Sequence, residues 1–582
     1  NLDVVIPSAL STTYSPTIST GDFGYVENIL FESGSILTVE NNYLFVKKIL
    51  TLNGKIDLNN EAQLVQGTHL ESAFDANSTG TIEIDQQGTG DSFNYNYWSS
   101  PVRPNLAAKT YSIGGVLKDG TDAAYKNITF GAAHTWAEGD VGSSPIRLST
   151  YWMYKLENSK GYAAWTRIGN NISIKVGEGY TMKGSNTTAA MQNYTFVGKP
   201  NNGDISLPIA IDNDYLVGNP YPSALDADKF IDDNLAHTGP LYFWEHSGGG
   251  THNLAGYQGG YATYTKAGGL PASTVGQVAG VGTALNAHKI PRGNIPVGQA
   301  FFVVGETAGD IIFNNSQRVF EKESDGYSIF MKSSNIKAKT ENAHGADLRP
   351  KFRIGFDAPK ISHRQLLLTI DEKATPAVDR GYEAEIYEIF VDDFYWMLDG
   401  KKYIIQATNN VGLNSEVPLG IQLSKTGIVT VKIDALENVD DDTSIYLKDK
   451  LTGESFNMRD KPVQLNLSAG KYADRFVLVF KTQKLVAEDV VAEVLIPSVA
   501  KPIIEGIHVF MNNAIGELQI KNNSTEEILN ITLINSLGQT VKIWNSNFNI
   551  RTISLPLSTA TGVYLVQINT KTGKTVKKIS VE

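Results

Sequence analysis

Two apolar segments close the chain, Gly562-Val-Tyr-Leu-Val-Gln-Ile-Asn-Thr570 and Lys574-Thr-Val-Lys-Lys-Ile-Ser-Val581. Apolar and polar residues alternate in the first, as they do in a β-strand with one buried face. Five further runs rich in Ile, Val, Leu and Thr precede them, and each ends in turn-forming residues. The predicted strands are residues 507–510, 515–521, 528–535, 540–544, 550–555, 562–570 and 574–581. Seven short strands within residues 506–582 are typical of an immunoglobulin-like antiparallel sandwich.

This region resembles a known family in four of its segments, residues 531–541, 557–558, 561–568 and 573–578. In this combination, and at the end of the chain, they are similar to the type A C-terminal sorting domain of the bacterial type IX secretion system. Met511-Asn-Asn513 departs from the Pro-Asn-Pro that members often carry there. The resemblance implies a Bacteroidetes protein exported across the outer membrane to the cell surface or the extracellular space.

The same resemblance implies partners: the secretion translocon, its outer-membrane β-barrel shuttle protein and, as a further candidate, a cell-surface sortase. The residues it assigns to recognition are Gly538, Gly562, Val563, Tyr564, Gly573, Lys574, Lys577 and Lys578. A purely structural interpretation stays open for each of them. Glycines suit the turns of any β-sandwich, apolar residues suit its core, and lysines at an edge strand discourage aggregation.

Composition narrows the class of protein. A chain of 582 residues is expected to hold several domains. Its 41% hydrophobic and 19% charged content, with 53 glycines, indicates a β-rich extracellular protein. The absence of cysteine excludes disulfides and thiolate chemistry, and the net charge of −11 argues against a nucleic-acid partner. Because the chain starts at Asn1 without a signal peptide, we expect a processed or partial sequence.

A repeat lies near the start of the chain. Ile29-Leu-Phe-Glu-Ser-Gly34-Ser-Ile36 aligns with Ile49-Leu-Thr-Leu-Asn-Gly54-Lys-Ile56 at a period of twenty. A strand, a glycine turn and a second strand per repeat indicate a parallel β-solenoid, with these four isoleucines pointing inward over residues 20–66. Two rungs are too few for stability, so further rungs are expected before Asn1. A coincidental pair of hairpins is the alternative.

The full domain prediction is a multidomain all-β chain. Its parts are a β-solenoid fragment (1–78), a Gly- and aromatic-rich β-sandwich-like domain (79–322), a linker (323–348), a second β-sandwich domain (349–483), a linker (484–505) and the sorting domain (506–582). Motifs in residues 94–101, 215–223, 241–245 and 297–304 resemble a region that recurs in large Bacteroidetes surface proteins of unassigned role. One helix is predicted, residues 224–234, capped by Ser223.

Known catalytic motifs are missing from the sequence, including the GxSxG elbow, the Walker loop, the HExxH helix and the EF-hand loop. The prediction is therefore no active site and no cofactor. Two metal alternatives stay open. One is zinc at His237, His246 and His252, whose spacing fits loop histidines better. The other is Ca²⁺, which favours clustered oxygens, at Asp226, Asp228, Asp232, Asp233 and residues 440–442.

Aromatic residues interleaved with glycine mark residues 242–264. They are Tyr242, Trp244, Tyr257, Tyr261 and Tyr264. They form either a sandwich core or an exposed platform for sugar rings. The leading hypothesis for function is a non-enzymatic adhesin or gliding-motility-associated surface component, with other adhesins or glycans as partners. The alternative is a secreted glycan-binding or hydrolase-associated protein whose catalytic part lies upstream.

Overall fold

The computed structural model divides the chain into two compact units, residues 1–487 and 488–582. It describes residues 3–8, 15–67, 73–74, 78–105, 107–139, 141–273, 288–331, 347–359, 361–412, 415–482, 507–512, 516–522, 527–535, 540–548, 552–557, 559, 561–570 and 574–581. Strands dominate both units, and the protein is all-β, as predicted. Within the described residues no helix is long and apolar enough to cross a membrane.

The first region is a β-solenoid built from two parallel ladders. Its strands are β1 (Asp3–Ile6), β2 (Thr17–Ile18), β3 (Gly24–Phe31), β4 (Ile36–Glu40), β5 (Tyr43–Leu52), β6 (Lys55–Asn59), β7 (Gln63–Gln66), β8 (Ala73–Phe74) and β9 (Thr81–Thr89). One ladder runs β1, β3, β5, β7 and the other β2, β4, β6, β9, all in parallel. The predicted solenoid is confirmed, and strands before and after the two recognised repeats extend it.

Of the four isoleucines predicted to point into the solenoid, two do so. Ile29 and Ile56 are buried, with 4% and 0% exposure. Ile49 is instead 47% exposed. Ile36 is only partly buried, and the neighbouring Leu37 is the residue that faces the core. For Ile49 the cause is a β-bulge in the pairing of β3 with β5: Val26 pairs with Val46 but Asn28 pairs with Ile49, so β5 carries one extra residue. For Ile36 the cause is the register of β4 with β6, which sets Leu37 and not Ile36 opposite Ile56. An alignment at a constant period of twenty therefore misassigns both positions.

The second region continues directly from the solenoid, because β9 pairs in parallel with β6 and antiparallel with the long strand β20 (Met191–Pro200). Its strands are β10 (Tyr95–Trp98), β11 (Val102–Arg103), β12 (Thr110–Tyr111), β13 (Leu117–Asp119), β14 (Thr129–Gly131), β15 (Arg147–Ser149), β16 (Tyr154–Lys155), β17 (Thr166–Arg167), β18 (Ile174–Lys175), β19 (Tyr180–Lys183) and β20 (Met191–Pro200). One hydrophobic core extends from Ile6 in the solenoid to Phe330. The solenoid therefore buries its open end against this region.

The third region contains ten strands. They are β21 (Ile205–Ile209), β22 (Asp214–Gly218), β23 (Ala224–Asp226), β24 (Leu241–Gly248), β25 (Gln258–Thr265), β26 (Gly268–Leu270), β27 (Asn294–Ile295), β28 (Ala300–Val304), β29 (Gly309–Phe313) and β30 (Arg318–Val319). Five of them form one sheet, in the order β22, β28, β24, β25, β26. Helix α2 (Ala227–Asp233) lies beside β23 and β29, whereas helix α1 (Ile113–Val116) belongs to the preceding region and lies beside β13 and β20.

The predicted helix over residues 224–234 begins later than expected. Residues Ala224–Asp226 pair with β27 and β30 as a strand, so the helix starts at Ala227. The N-cap is Asp226, whose carboxylate accepts a hydrogen bond from the Lys229 amide, and not Ser223, which is buried. Asp caps a helix as well as Ser does, and sheet pairing overrode the local helical pattern.

The last region of the first unit is a single eleven-stranded sheet. Its strands are β31 (Lys351–Ala358), β32 (Ile361–Ile370), β33 (Ala384–Glu385), β34 (Asp393–Leu398), β35 (Lys401–Thr408), β36 (Glu416–Leu423), β37 (Gly427–Glu437), β38 (Thr443–Asp449), β39 (Ser455–Asn457), β40 (Val463–Leu467) and β41 (Gly470–Thr482). Pairing is antiparallel except between β32 and β35. A separate hydrophobic core fills this region.

The second unit is the predicted seven-stranded sandwich. Its strands are β42 (Ile507–Asn512), β43 (Glu517–Asn522), β44 (Ile528–Asn535), β45 (Thr540–Phe548), β46 (Thr552–Pro556), β47 (Gly562–Thr570) and β48 (Lys574–Val581). They form a three-stranded sheet, β42, β43, β46, and a four-stranded sheet, β45, β44, β47, β48. The core between the sheets includes Leu518, Ile531, Val566 and Ile568, all fully buried.

Candidate functional site

The residues assigned to secretion lie mainly on the hairpin of β47 and β48. Tyr564 is buried, and its hydroxyl lies 3.1 Å from Thr559 Oγ1. Lys577 and Lys578 are exposed on β48, which is the edge strand of its sheet. Gly562 pairs with Val581 where the two strands end. The arrangement places a charged strand at the edge of the sheet, the position at which a partner strand can add to it.

Of the remaining assigned residues, Lys574 begins β48, and Gly538 and Gly573 lie outside the described residues. Val563 is 43% exposed and belongs to an outward-facing apolar surface. We call this surface the outer face; its members are Val541, Ile543, Val563, Leu565 and Val576. Of these five residues, only Val563 was assigned to recognition from the sequence. Alternation along β47 and the pairing with β48 place Leu565 and Val576 on the same face as Val563.

The three candidate zinc ligands have separate partners. His237 Nδ1 accepts a hydrogen bond from the Gly239 amide at 3.0 Å, and His246 Nδ1 accepts one from the Tyr95 amide at 3.1 Å. Burial lowers the pKa of both imidazoles to about 3, so both are neutral. The third, His252, contacts Glu138. In the described part of the chain no group of three or more His, Asp or Glu residues is placed to hold a metal ion.

Of the acidic residues considered for calcium, residues 440–442 lie directly before β38, and the other four take structural roles around α2. Asp226 caps the helix, and Asp228 accepts a hydrogen bond from the Tyr264 hydroxyl at 2.8 Å. Burial raises the pKa of Asp228 to about 6. Asp232 pairs with Lys266 at 2.7 Å, and Asp233 accepts hydrogen bonds from two side-chain amides. Their oxygens thus already have protein partners.

The predicted aromatic platform is not exposed. Tyr242, Trp244, Tyr257 and Tyr264 are only 3–6% exposed and pack within the first unit. The core alternative is therefore correct for these four residues. Tyr261 differs, because it is half-buried and lines a small pocket. Glycine spacing could not separate these cases, since burial depends on strands far apart in sequence.

A lysine lies inside a cage of aromatic rings that sequence analysis missed. Lys183 Nζ is 3.8 Å from the centroid of the Trp152 ring and less than 5 Å from those of Tyr95 and Tyr257. Lys183 Nζ also donates a hydrogen bond to the Tyr257 hydroxyl at 2.8 Å and lies 2.9 Å from His252 Nδ1. Burial lowers the pKa of Lys183 to about 7, against the opposing charges of Asp91 and Glu138. We call this arrangement the lysine cage.

A larger cavity of about 590 Å³, lined by both polar and apolar side chains, lies beside the solenoid. Asn41 and Asn60 contribute to it from successive corners of the solenoid, where both have left-handed backbone angles (φ of 53° and 59°). Carboxylates and amides dominate the rest of its polar lining, as in Glu61, Asp85 and Gln87. A cavity of this size accommodates a small ligand, and these groups can form hydrogen bonds with it.

These features define an all-β protein with a large body that starts as a solenoid and a separate C-terminal sandwich. Residues 1–480 match the family described as Domain of unknown function (DUF8693), and the chain belongs to that family. Residues 508–582 match the family described as Secretion system C-terminal sorting domain. The protein therefore carries a type IX secretion sorting signal, typical of Bacteroidetes, and is exported to the cell surface or extracellular space.

Other comparisons add little. No curated protein matches the chain. Among solved structures, one described as "Biofilm associated protein - BSP domain" aligns over 86% of this chain and 95% of its own, at 9% identity and a TM-score of 0.11. That similarity is too low to support an argument about fold or function. Neither matching family description names an enzymatic activity.

Proposed function

We propose that the protein is a non-enzymatic adhesin or motility-associated surface component, displayed through the type IX pathway. The observation that carries this proposal is the complete sorting sandwich that follows a large β-rich body. A continuous core extends from the solenoid into the second region, which suits a surface body that has to stay folded outside the cell. The sorting sandwich supplies the route, and the body supplies the surface for adhesion.

Two buried carboxylates, Glu178 and Glu383, have structural partners, and this favours a binding role over catalysis for both. Glu178, 1% exposed, accepts hydrogen bonds from the Tyr215 hydroxyl at 2.7 Å and the Lys155 ammonium at 3.1 Å. Glu383 accepts two backbone hydrogen bonds, from Ala407 and Asp379. A general acid or base needs a proton-transfer path to a substrate. These two carboxylates instead make hydrogen bonds with structural partners.

We further propose that the β47–β48 hairpin and the outer face contact the translocon and its β-barrel shuttle. Fusing residues 501–582 to an inert periplasmic reporter is expected to move the reporter to the cell surface. Deleting residues 574–582 removes the edge strand and is expected to retain the reporter in the periplasm. Protease accessibility on intact cells measures both outcomes. A folded reporter fusion that stays periplasmic would contradict the proposal.

A matched pair of variants tests the contact surface itself. Leu565 is 40% exposed on the outer face, and Phe510 is 40% exposed on the opposite, three-stranded sheet. Replacing Leu565 with Asn is expected to reduce export severalfold, whereas Phe510→Asn is expected to leave it unchanged. Both changes remove an exposed apolar side chain, so fold stability should respond equally. Equal export of the two variants would rule out the outer face as the contact.

Glycan binding is a second candidate function, favoured by the hydrogen-bonding groups in the larger cavity beside the solenoid. Asn60→Gly removes an amide from the cavity while keeping the left-handed backbone that glycine also adopts. Asn186→Gly is the control, because Asn186 has the same backbone conformation (φ of 59°) away from the cavity. A glycan array probed with the purified protein is expected to lose its signal with the first variant only. No signal with the natural protein would dismiss this candidate.

A further inference from the structure

A second cluster of aromatic rings surrounds a small open pocket in the first unit. The pocket has a volume of about 180 Å³. It brings together residues distant in sequence, from the loop after β16, the strands β22, β25 and β28, and the segment after β33. We call it the aromatic box; the residues that matter are Tyr162, Trp165, Asp214, Tyr261, Phe302 and Tyr387.

The rings of the box stand at right angles and form walls. Trp165 meets Phe302 at 87° with ring centroids 5.9 Å apart, and Phe302 meets Tyr261 at 73° and 5.7 Å. Tyr261 in turn meets Tyr387 at 83° and 5.2 Å. The fifth ring, Tyr162, is 74% exposed and belongs to the lining as well. Perpendicular walls enclose a compact group, whereas a flat sugar ring needs a flat aromatic surface to stack on.

One carboxylate completes the lining. Asp214 is half-buried, and burial raises its pKa, against the charge of Lys160 and a hydrogen bond from Tyr387. Its negative charge and the electron-rich ring faces both attract a cation. In the described part of the chain, no lysine or arginine lies over the four walls of the box, although Lys183 fills the lysine cage. Among the described residues, one aromatic cage thus holds a lysine side chain of this protein, and the aromatic box is open.

We propose that the aromatic box binds a quaternary ammonium group, such as the trimethylammonium of choline. This cation has no N–H group, so ring faces satisfy it without further acceptors. The box is lined by aromatic rings and by the carboxylate of Asp214, a combination that attracts a cation without requiring N–H groups on it.

The test measures binding of choline to the purified full-length protein by calorimetry. Its neutral isostere, 3,3-dimethylbutan-1-ol, has the same shape without the charge. Choline is expected to bind at least about tenfold more tightly, since a desolvated cation–ring contact and the Asp214 charge are both lost with the alcohol. Equal binding of the two compounds, or no binding of choline at millimolar concentration, would overturn the proposal.

Two variants and one control locate the site. Asp214→Asn keeps the shape and removes the charge, so choline affinity should fall about tenfold or more. Tyr162→Ala truncates an exposed ring and should weaken choline binding without affecting folding. The control is Tyr125→Ala, at a tyrosine 38% exposed outside the box, which should bind as the natural protein does. Choline binding that survives both box variants places the ligand elsewhere and refutes the assignment.

A trimethylammonium group reaches a surface protein either on a lipid or on a soluble molecule. Phosphocholine in solution and phosphatidylcholine vesicles, with phosphatidylglycerol vesicles as control, separate these sources once choline binding is established. Tight binding to phosphocholine supports a soluble ligand, and preferential binding to phosphatidylcholine vesicles supports a lipid. The inference rests on the proposed function for its biological setting. Protease accessibility on cells tests display separately, so failure of display and failure of binding are distinguishable.

Discussion

Lys183 is a residue whose protonation the fold disfavours. Its pKa is lowered to about 7, whereas an unfolded lysine titrates near its ordinary 10.5. Between these values the unfolded chain binds a proton that the folded protein has released, so stability rises with pH. We expect the free energy of unfolding to increase from pH 7 to 9.5 relative to Lys183→Met. Urea titrations at several pH values measure the difference, with the exposed Lys461→Met as control. Parallel curves for all three proteins would contradict the assignment.

The buried ion pair of Arg364 and Asp393 should contribute more to the free energy of unfolding than a solvated ion pair does. Its guanidinium holds Asp393 through two hydrogen bonds of 2.8 and 3.1 Å, and both side chains are almost fully buried. Arg364→Met leaves a buried carboxylate without its countercharge, so we expect a loss of about 3–5 kcal/mol. Lys401→Met breaks a solvated pair with Glu385 and should cost less than about 1 kcal/mol. Equal midpoints of unfolding for the two variants would contradict this ranking.

Among the elements, those with local signals were predicted well from the sequence. The strands β47 and β48 have the predicted bounds, because their alternation and turn residues are contiguous. The inward face of β5 was missed, because one bulged residue leaves no trace in composition. The aromatic box was invisible for a different reason. Trp165 and Tyr387 meet only through the packing of strands more than two hundred residues apart.

Two glycines at corners of the solenoid, Gly34 and Gly54, should respond differently to substitution. A Cβ on Gly54 would lie 2.3 Å from the Ser35 carbonyl oxygen of the preceding rung, so Gly54→Ala forces the parallel ladders apart. Overpacking of this kind costs about 1–3 kcal/mol. Gly34 has a left-handed backbone (φ of 79°) with open space around it, and Asn41 adopts a similar conformation nearby. We therefore expect Gly34→Asn to be tolerated. Denaturant unfolding measures the stability of both variants. A larger loss of unfolding free energy for Gly34→Asn than for Gly54→Ala would contradict the close stacking of the rungs at Gly54.

At the scale of the whole molecule, the chain has two compact units with their own cores. The sandwich of residues 507–581 is near the lower size limit for independent folding, so its stability should be modest. We expect two transitions in urea, and the slope of the smaller one should be shallower because less surface becomes exposed. Isolated residues 501–582 should reproduce that transition by circular dichroism. A single transition for the full chain, together with an unfolded isolated fragment, would show that the sandwich depends on the body and is not a transferable signal.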